Sequence, residues 1–159
     1  MRGVSIIGIG ETKMGKLPDK SLRDLIREAG SKAIADAGIE KERIQAVFVS
    51  NFNSSYLCYQ SHIGPMVTEV LGLENVPAIR TEGACASGSL AFRQGYLAVA
   101  SGMYDMVLVG GVEKMTHRAT EEVTTGIASA SDYELEASLG VTFPSVFAMI
   151  ANRYFYEYR

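Results

Sequence analysis

Hydrophobic positions along this chain switch between two periods, and the switches mark its elements. Val4, Ile6, Ile7 and Ile9 form an apolar run closed by Gly10, which predicts a buried strand over residues 4–9. Leu22, Leu25, Ile26, Ala29, Ala33 and Ile34 then recur at helical spacing. Ser21 and Asp24 stand where an acidic capping box starts that helix, and Gly38 stands where a C′ residue ends it. Gly30 inside the helix costs about 1 kcal/mol relative to alanine, which close packing on a sheet would explain.

Residues 46–49 read as a short second strand, and the polar and aromatic stretch 51–60 as a loop. Residues 65–71 predict a helix, with Pro65 tolerated in its first turn and Gly72 after its end. A third strand spans 76–81, with Pro77 near its start, where a missing donor does least harm. A helix over 86–101 stops at Gly102, and 106–112 is the fourth strand. Strands alternating with helices imply crossovers and a parallel sheet, so residues 1–112 are expected to form an α/β layer structure. Residues 113–159 differ. Positions 116–140 show no clean period and read as a long loop or small subdomain, followed by an amphipathic helix from Val146 through Met149, Ile150, Tyr154 and Phe155 to Tyr158. Its aromatic stripe is read as core rather than as a cofactor box.

The third helix departs from the usual pattern. A helix packed on one side of a sheet shows a polar stripe. Between Ala84 and Ala100 only Arg93 and Gln94 are long and polar, while small residues dominate. Such a helix is covered on both sides, and the chain offers no second sheet to do it. The second layer is therefore expected from a missing C-terminal half or a complementary chain.

Composition excludes several function classes. The 159 residues are 47% apolar and 21% charged, with net charge −3, so neither a nucleic acid nor an anionic membrane is an expected partner. The apolar stretch 96–112 is broken by Ser101, Gly102 and Asp105 and is too short to span a bilayer. No signal peptide is evident, and two cysteines without a zinc spacing fit a reducing cytosol, so a cytoplasmic location and no metal site are expected. Gly8 and Gly10 follow the first strand, but Lys13 replaces the third glycine of a dinucleotide fingerprint. A tight turn is the preferred reading there.

Cys85 carries the candidate chemistry. It follows a strand and Gly83 and stands at the first turn of the third helix. Unpaired N–H groups at a helix start favour an anion, so a thiolate gains from that field, and the same donors suit the oxyanion of a thioester under attack. The competing reading is a small buried hydrophobe. Cys58 and Tyr56 lie in a loop and are read as structural. His62, ahead of the second helix, is expected to cap or pack, and His117 to be a solvent-exposed loop residue. Glu121 and Glu122 are adjacent, so they do not aim two carboxylates at one site.

Glu82-Gly83-Ala84-Cys85-Ala86-Ser87-Gly88-Ser89 resembles the nucleophilic-cysteine segment of the thiolase family. Val107-Leu108-Val109-Gly110-Gly111-Val112-Glu113-Lys114-Met115 resembles its Gly-Gly strand exit and Glu-x-Met turn, and Val4-Ser5-Ile6-Ile7-Gly8-Ile9-Gly10 also fits. Phe147-Ala148-Met149-Ile150-Ala151-Asn152-Arg153-Tyr154 resembles the branch related to sterol-carrier-protein thiolases. The resemblance covers nearly the whole chain but only the first part of the family's fold. It implies a layered thiolase-like fold, with residues 1–112 as the incomplete N-terminal α/β half and 113–159 as the start of the loop domain. It also implies that Cys85 takes an acyl group from acyl-CoA, with CoA thioesters as substrates, no permanently bound cofactor and a homo-oligomeric enzyme. The family's histidine base and second catalytic cysteine come from later segments, so these 159 residues alone are expected to be inactive. Phe147 and Met149 fall in the region that covers the family's acyl-CoA tunnel. A ketoacyl synthase, a hydroxymethylglutaryl-CoA synthase relative, and a non-catalytic subunit needing a partner chain are the alternatives.

Overall fold

The computed structural model describes residues 2–158. The chain divides into two compact units, residues 1–117 and 118–159.

In the first unit, helix α1 (Leu22–Ala37) begins at the predicted capping box: Ser21 accepts from Asp24 N, and Asp24 returns a bond to Ser21 N. Gly38 ends it in the left-handed region, at φ 61°. Strand β1 (Ala46–Ser50) leads to a one-turn helix α2 (Ser54–Leu57), inside the segment expected to be a loop, and then to α3 (Ile63–Leu71). Strand β2 (Ala78–Thr81) precedes α4 (Ser87–Ala100), and β3 (Val107–Gly111) follows it. The strands form one parallel sheet in the order β2-β1-β3, with Val47 opposite both Ala78 and Leu108.

Central β1 is buried along its whole length, and its side chains alternate between two cores. Val47 and Val49 join Leu22 and Ile26 of α1 and Ile63, Val67 and Leu71 of α3. Ala46 and Phe48 face Ala91 and Ala98 of α4. Gly95 completes that second contact, because a Cβ there would run into the Val109 side chain. Gly30 also serves close packing, but against a different neighbour from the expected sheet. A Cβ on it would stand 2.7 Å from Leu71 of α3.

Residues 4–9 do not form the expected buried strand. They belong to no sheet, and Ile6 and Ile9 are 70% and 73% exposed. The segment is held instead by Arg2 N donating to Ala100 O at 3.1 Å and Ile9 N donating to Asp36 Oδ2 at 2.9 Å. Its sequence favours a strand, but among the described residues no strand pairs with its backbone. Nor do Gly8 and Gly10 make a tight turn: the backbone forms no turn between residues 7 and 12. They let the segment approach α1, since a Cβ at Gly8 would come within 2.5 Å of Ala33 O.

The second unit contains α5 (Thr120–Ala128), a short 3-10 turn (Ala137–Leu139) and α6 (Phe143–Glu157). Helix α5 was not visible as a period in the sequence. Glu122 starts it by accepting from the Ala119 N–H, and Gly126 and Ala128 are buried. Helix α6 begins at Thr142, whose side chain accepts from Ser145 N. Its aromatic stripe is not core in this chain. Phe147, Met149, Ile150, Tyr154 and Phe155 are all exposed, and no residue of α6 is buried. No helix among the described residues is long and apolar enough to cross a membrane.

Candidate active site

Parallel pairing brings the C-terminal ends of β1, β2 and β3 to one edge of the sheet, at Ser50, Thr81 and Gly111. In open α/β sheets this edge is where ligands bind. Gly111 leaves room for the Ser50 hydroxyl, and Gly88, at the start of α4, lies near that same oxygen. Thr81 ties β2 to α4 by donating its hydroxyl to Gln94 Oε1 at 2.7 Å.

Cys85 sits between β2 and α4, in a 3-10 turn (Ala84–Ala86). It therefore stands just ahead of the helix rather than inside its first turn, as α4 begins at Ser87. Two observations describe how the turn is held. Ser87 Oγ accepts from Gly83 N at 2.9 Å and donates to Ala84 O at 2.7 Å, closing the backbone around the cysteine. Ala84 adopts φ 47°, a left-handed conformation that costs a non-glycine residue roughly 1–2 kcal/mol. The thiol is exposed and free of any disulfide. An exposed, strained turn at the carboxyl edge of the sheet is unlike the buried small hydrophobe of the competing reading.

At the carboxyl ends of β1 and β3, residues 51–61 are held by a clamp of opposite charges that the sequence did not point to. Glu113, two residues past β3, accepts from Phe52 N at 2.9 Å, Asn53 N at 3.0 Å and Asn51 Nδ2 at 3.2 Å. Arg80 of β2 donates to the Asn51 and Phe52 carbonyls at 3.2 and 2.7 Å, and to Ser55 Oγ and Ser61 O. The carboxylate thus takes the N–H side of these peptides and the guanidinium takes their C=O side. Lys114 bonds the carbonyls of Leu17 and Lys20, tying the same strand exit to the start of α1. The available signals were an arginine inside an apolar strand and a carboxylate directly after another. Asn53 Nδ2 is buried with no partner.

The remaining candidates are placed as follows. Cys58 is half-buried, with its Sγ 3.5 Å from Lys114 O and 4.0 Å from His117 Nε2. His117 is exposed in a loop, as expected, and its Nε2 lies 3.1 Å from Leu57 O at the end of α2. His62 occupies the N-cap position of α3 but makes no capping bond with its side chain. Tyr56 is 48% exposed. Glu121 and Glu122 lie in the first turn of α5, in the other unit, where Glu122 is engaged with Ala119 and Arg118. Among the described residues no three His, Cys, Asp or Glu side chains are grouped to hold a metal.

Perturbed titrations lie away from this edge, on the α1 surface. Hydrogen bonds from Lys20 and Lys32 hold Glu28 below the ordinary carboxylate range, and Ser21 does so for Asp24. Arg23 lowers Glu69, and Glu69 raises Arg23 in return.

A cysteine carried on a tight turn where a parallel α/β sheet meets a helix start defines a layered α/β protein with a thiol at the carboxyl edge of its sheet. Residues 4–158 match the family description "Thiolase, N-terminal domain". The chain is 52% identical over 158 residues to the acetyl-CoA acetyltransferase of Methanocaldococcus jannaschii, covering 99% of this chain and 40% of that protein. It is 49% identical over 158 residues to the acetyl-CoA acetyltransferase of Methanothermobacter thermautotrophicus, covering 99% of this chain and 41% of the other. Among solved structures, the Ltp2-ChsH2(DUF35) aldolase superposes with a TM-score of 0.68 at 27% identity, over 96% of this chain and 38% of that one. The chain belongs to the thiolase family and corresponds to its N-terminal domain. It spans about 40% of the length of the curated relatives it matches.

Proposed function

We propose that this chain is the acyl-accepting part of a thiolase-type acyl-CoA acyltransferase, and that Cys85 forms the covalent acyl-enzyme. In the first half-reaction the Cys85 sulfur attacks the thioester carbonyl. A new carbon–sulfur bond to the cysteine forms, the bond to CoA breaks, and the thiol proton ends on released CoA. Sulfur suits this exchange because one thioester replaces another at little free-energy cost, and a thiolate both attacks and leaves. In condensation the acyl group then passes to the α-carbon of a second acyl-CoA, which loses a proton. In thiolysis of a 3-ketoacyl-CoA the sulfur attacks the 3-keto carbon instead, the bond to the α-carbon breaks, acetyl-CoA leaves after its α-carbon takes up a proton, and the remaining acyl group passes to CoA.

The supporting observation is the exposed Cys85 on its serine-locked turn at the carboxyl edge of the sheet. In this reading residues 1–112 are the first part of the N-terminal α/β half, and 113–159 begin the loop domain. The remaining polypeptide, or a complementary chain, supplies the proton acceptor and the groups acting at the α-carbon, in a homo-oligomer working on CoA thioesters without a resident cofactor. The exposed apolar residues of α4 (Leu90, Phe92, Tyr96 and Leu97) fit the second layer that such a helix requires.

The test is acetyl-CoA treatment of the assembled protein followed by peptide mass mapping. The reading requires one acetyl group on the peptide carrying Cys85, and its loss in Cys85→Ala. Thiolysis that persists in Cys85→Ala, or acetyl found on Cys58 alone, would refute it. Exchange of acetyl groups between CoA thioesters without carbon dioxide release separates thiolase chemistry from that of a decarboxylating ketoacyl synthase.

A further inference from the structure

The backbone just ahead of Cys85 is gripped by two side chains, and one of them is charged. Ser87 Oγ accepts from Gly83 N at 2.9 Å and donates to Ala84 O at 2.7 Å. Ala84 N in turn donates to Glu82 Oε1 at 2.5 Å. Both polar groups of Ala84 are thus taken by side chains, one preceding it in sequence and one following. Ala84 is also the residue held at φ 47°. For alanine that left-handed conformation is disfavoured roughly 5- to 30-fold. Such strain persists only where the surroundings over-determine it, and it collects at functional positions.

The two grips differ. Ser87 is buried and belongs to α4, so the helix fixes its hydroxyl. Glu82 is exposed, two residues ahead of Ala84 and three ahead of Cys85. Water is available to its carboxylate, yet the carboxylate takes the Ala84 amide in a charge-assisted hydrogen bond. The turn lies close against α4, because a Cβ at Gly83 would stand 2.3 Å from Leu90 Cδ1. Within this frame the φ of Ala84 sets the direction in which the chain delivers Cys85.

We infer that Glu82 is a positioning residue for Cys85: together with the Ser87 hydroxyl, its carboxylate holds Ala84 left-handed and so aims the sulfur at the thioester. This role rests on the acyl-enzyme reading of Cys85. It acts through the acceptor oxygen, and a role through charge would have the opposite signature. A carboxylate near a thiolate opposes its charge, so under a charge role neutralising Glu82 would speed acylation. Under the positioning role, Glu82→Gln keeps the acceptor and the rate, whereas Glu82→Ala loses both. Glycine adopts a left-handed φ at no steric cost, so Ala84→Gly makes Glu82 dispensable.

Two readouts in the assembled protein test this. Peptide mass mapping with time follows acetylation of Cys85 by acetyl-CoA, and amide hydrogen exchange follows Gly83, whose bond to Ser87 Oγ reports a closed turn. Glu82→Ala should slow acetylation and speed Gly83 exchange, each by about 5- to 30-fold, the strain it no longer opposes. Glu82→Gln should stay within about 3-fold of the parent protein in both. The double variant Glu82→Ala/Ala84→Gly should also return to within about 3-fold, a rescue that general loss of folding would not permit. Four results overturn the role: Glu82→Ala within about 3-fold of the parent, Glu82→Gln as slow as Glu82→Ala, Glu82→Gln faster than the parent, or no recovery in the double variant. A parent protein whose Cys85 takes no acetyl group refutes the acyl-enzyme reading instead. The Gly83 amide then decides the lock, which fails if Glu82→Ala leaves that exchange unchanged or if Ala84→Gly does not restore it.

Discussion

Removing Glu113 tests whether the loop over residues 51–61 is held by the charge clamp or merely lies there. Its carboxylate accepts three hydrogen bonds, two of them from the backbone at Phe52 and Asn53. A hydrogen bond to a charged group contributes about 1.5–3 kcal/mol when well formed, less where water competes. The site is half-buried, so Glu113→Ala should destabilise by about 2–4 kcal/mol, a large part of the 5–15 kcal/mol typical of a domain. Glu113→Gln keeps an acceptor oxygen but turns an amide N–H₂ toward donors, and should cost about 1–2 kcal/mol. Arg80→Gln should cost about 1–2 kcal/mol, because it frees carbonyls that water can reach. The decisive quantity is the coupling between them. Both groups grip the peptides of residues 51–53, so once one is gone the other loses its geometry. The double variant Arg80→Gln/Glu113→Gln should therefore be less destabilised than the sum of the singles, by at least about 1 kcal/mol. Urea unfolding followed by circular dichroism, with unchanged m-values, measures all four species. Additivity within about 0.5 kcal/mol would refute the clamp.

Three further outcomes follow from other parts of the molecule. Iodoacetamide should alkylate exposed Cys85 at least ~10-fold faster than half-buried Cys58, whose sulfur is engaged with Lys114 O; peptide mapping with time reads the order, and Cys58 first would contradict it. Gly95→Val forces a side chain into Val109 of β3 and should cost about 1–3 kcal/mol or more by overpacking, whereas Gly102→Ala meets no neighbour and its cost comes from its φ of 83°; chemical denaturation of both variants separates clash from backbone strain. Asp24, Glu28 and Glu69 all have carboxyls held below their ordinary values, so their contributions are present above the unfolded-state range near pH 4 and are lost as pH falls further. The melting temperature should therefore drop on acidification from pH 6 to 3, and Glu28→Gln should make that drop shallower; an unchanged acid limb in Glu28→Gln would argue against its pairing with Lys20 and Lys32.

Where sequence and structure agree, the information was local. The Ser21–Asp24 box, Gly38, Gly72 and the switch from period 3.6 to short apolar runs are decided within a few residues, so the α1 start, β1, β2, β3 and the parallel order of layers could be read directly. Where they differ, the missing information was non-local. Residues 4–9 have the composition of a strand, but a strand exists only with a partner, and none pairs with them among the described residues. The stripe on α6 has the pattern of a core helix, yet nothing in its own unit buries it. The Arg80–Glu113 clamp joins residues far apart in sequence around a loop with no periodicity. Helix α4 shows the two kinds of information combined. Its small residues announced a helix approached from two sides, and the structure supplies one side, with Ala91, Gly95 and Ala98 against the sheet. The exposed Leu90, Phe92, Tyr96 and Leu97, the unpaired residues 3–8 and the bare stripe of α6 are three separate features left uncovered among the described residues. They differ in kind: an apolar face of a sheet-packed helix, an extended backbone without a ladder, and an aromatic face on a helix with no buried residue. None of the three could be read from the local pattern, because each is decided by what packs against it rather than by the residues that form it.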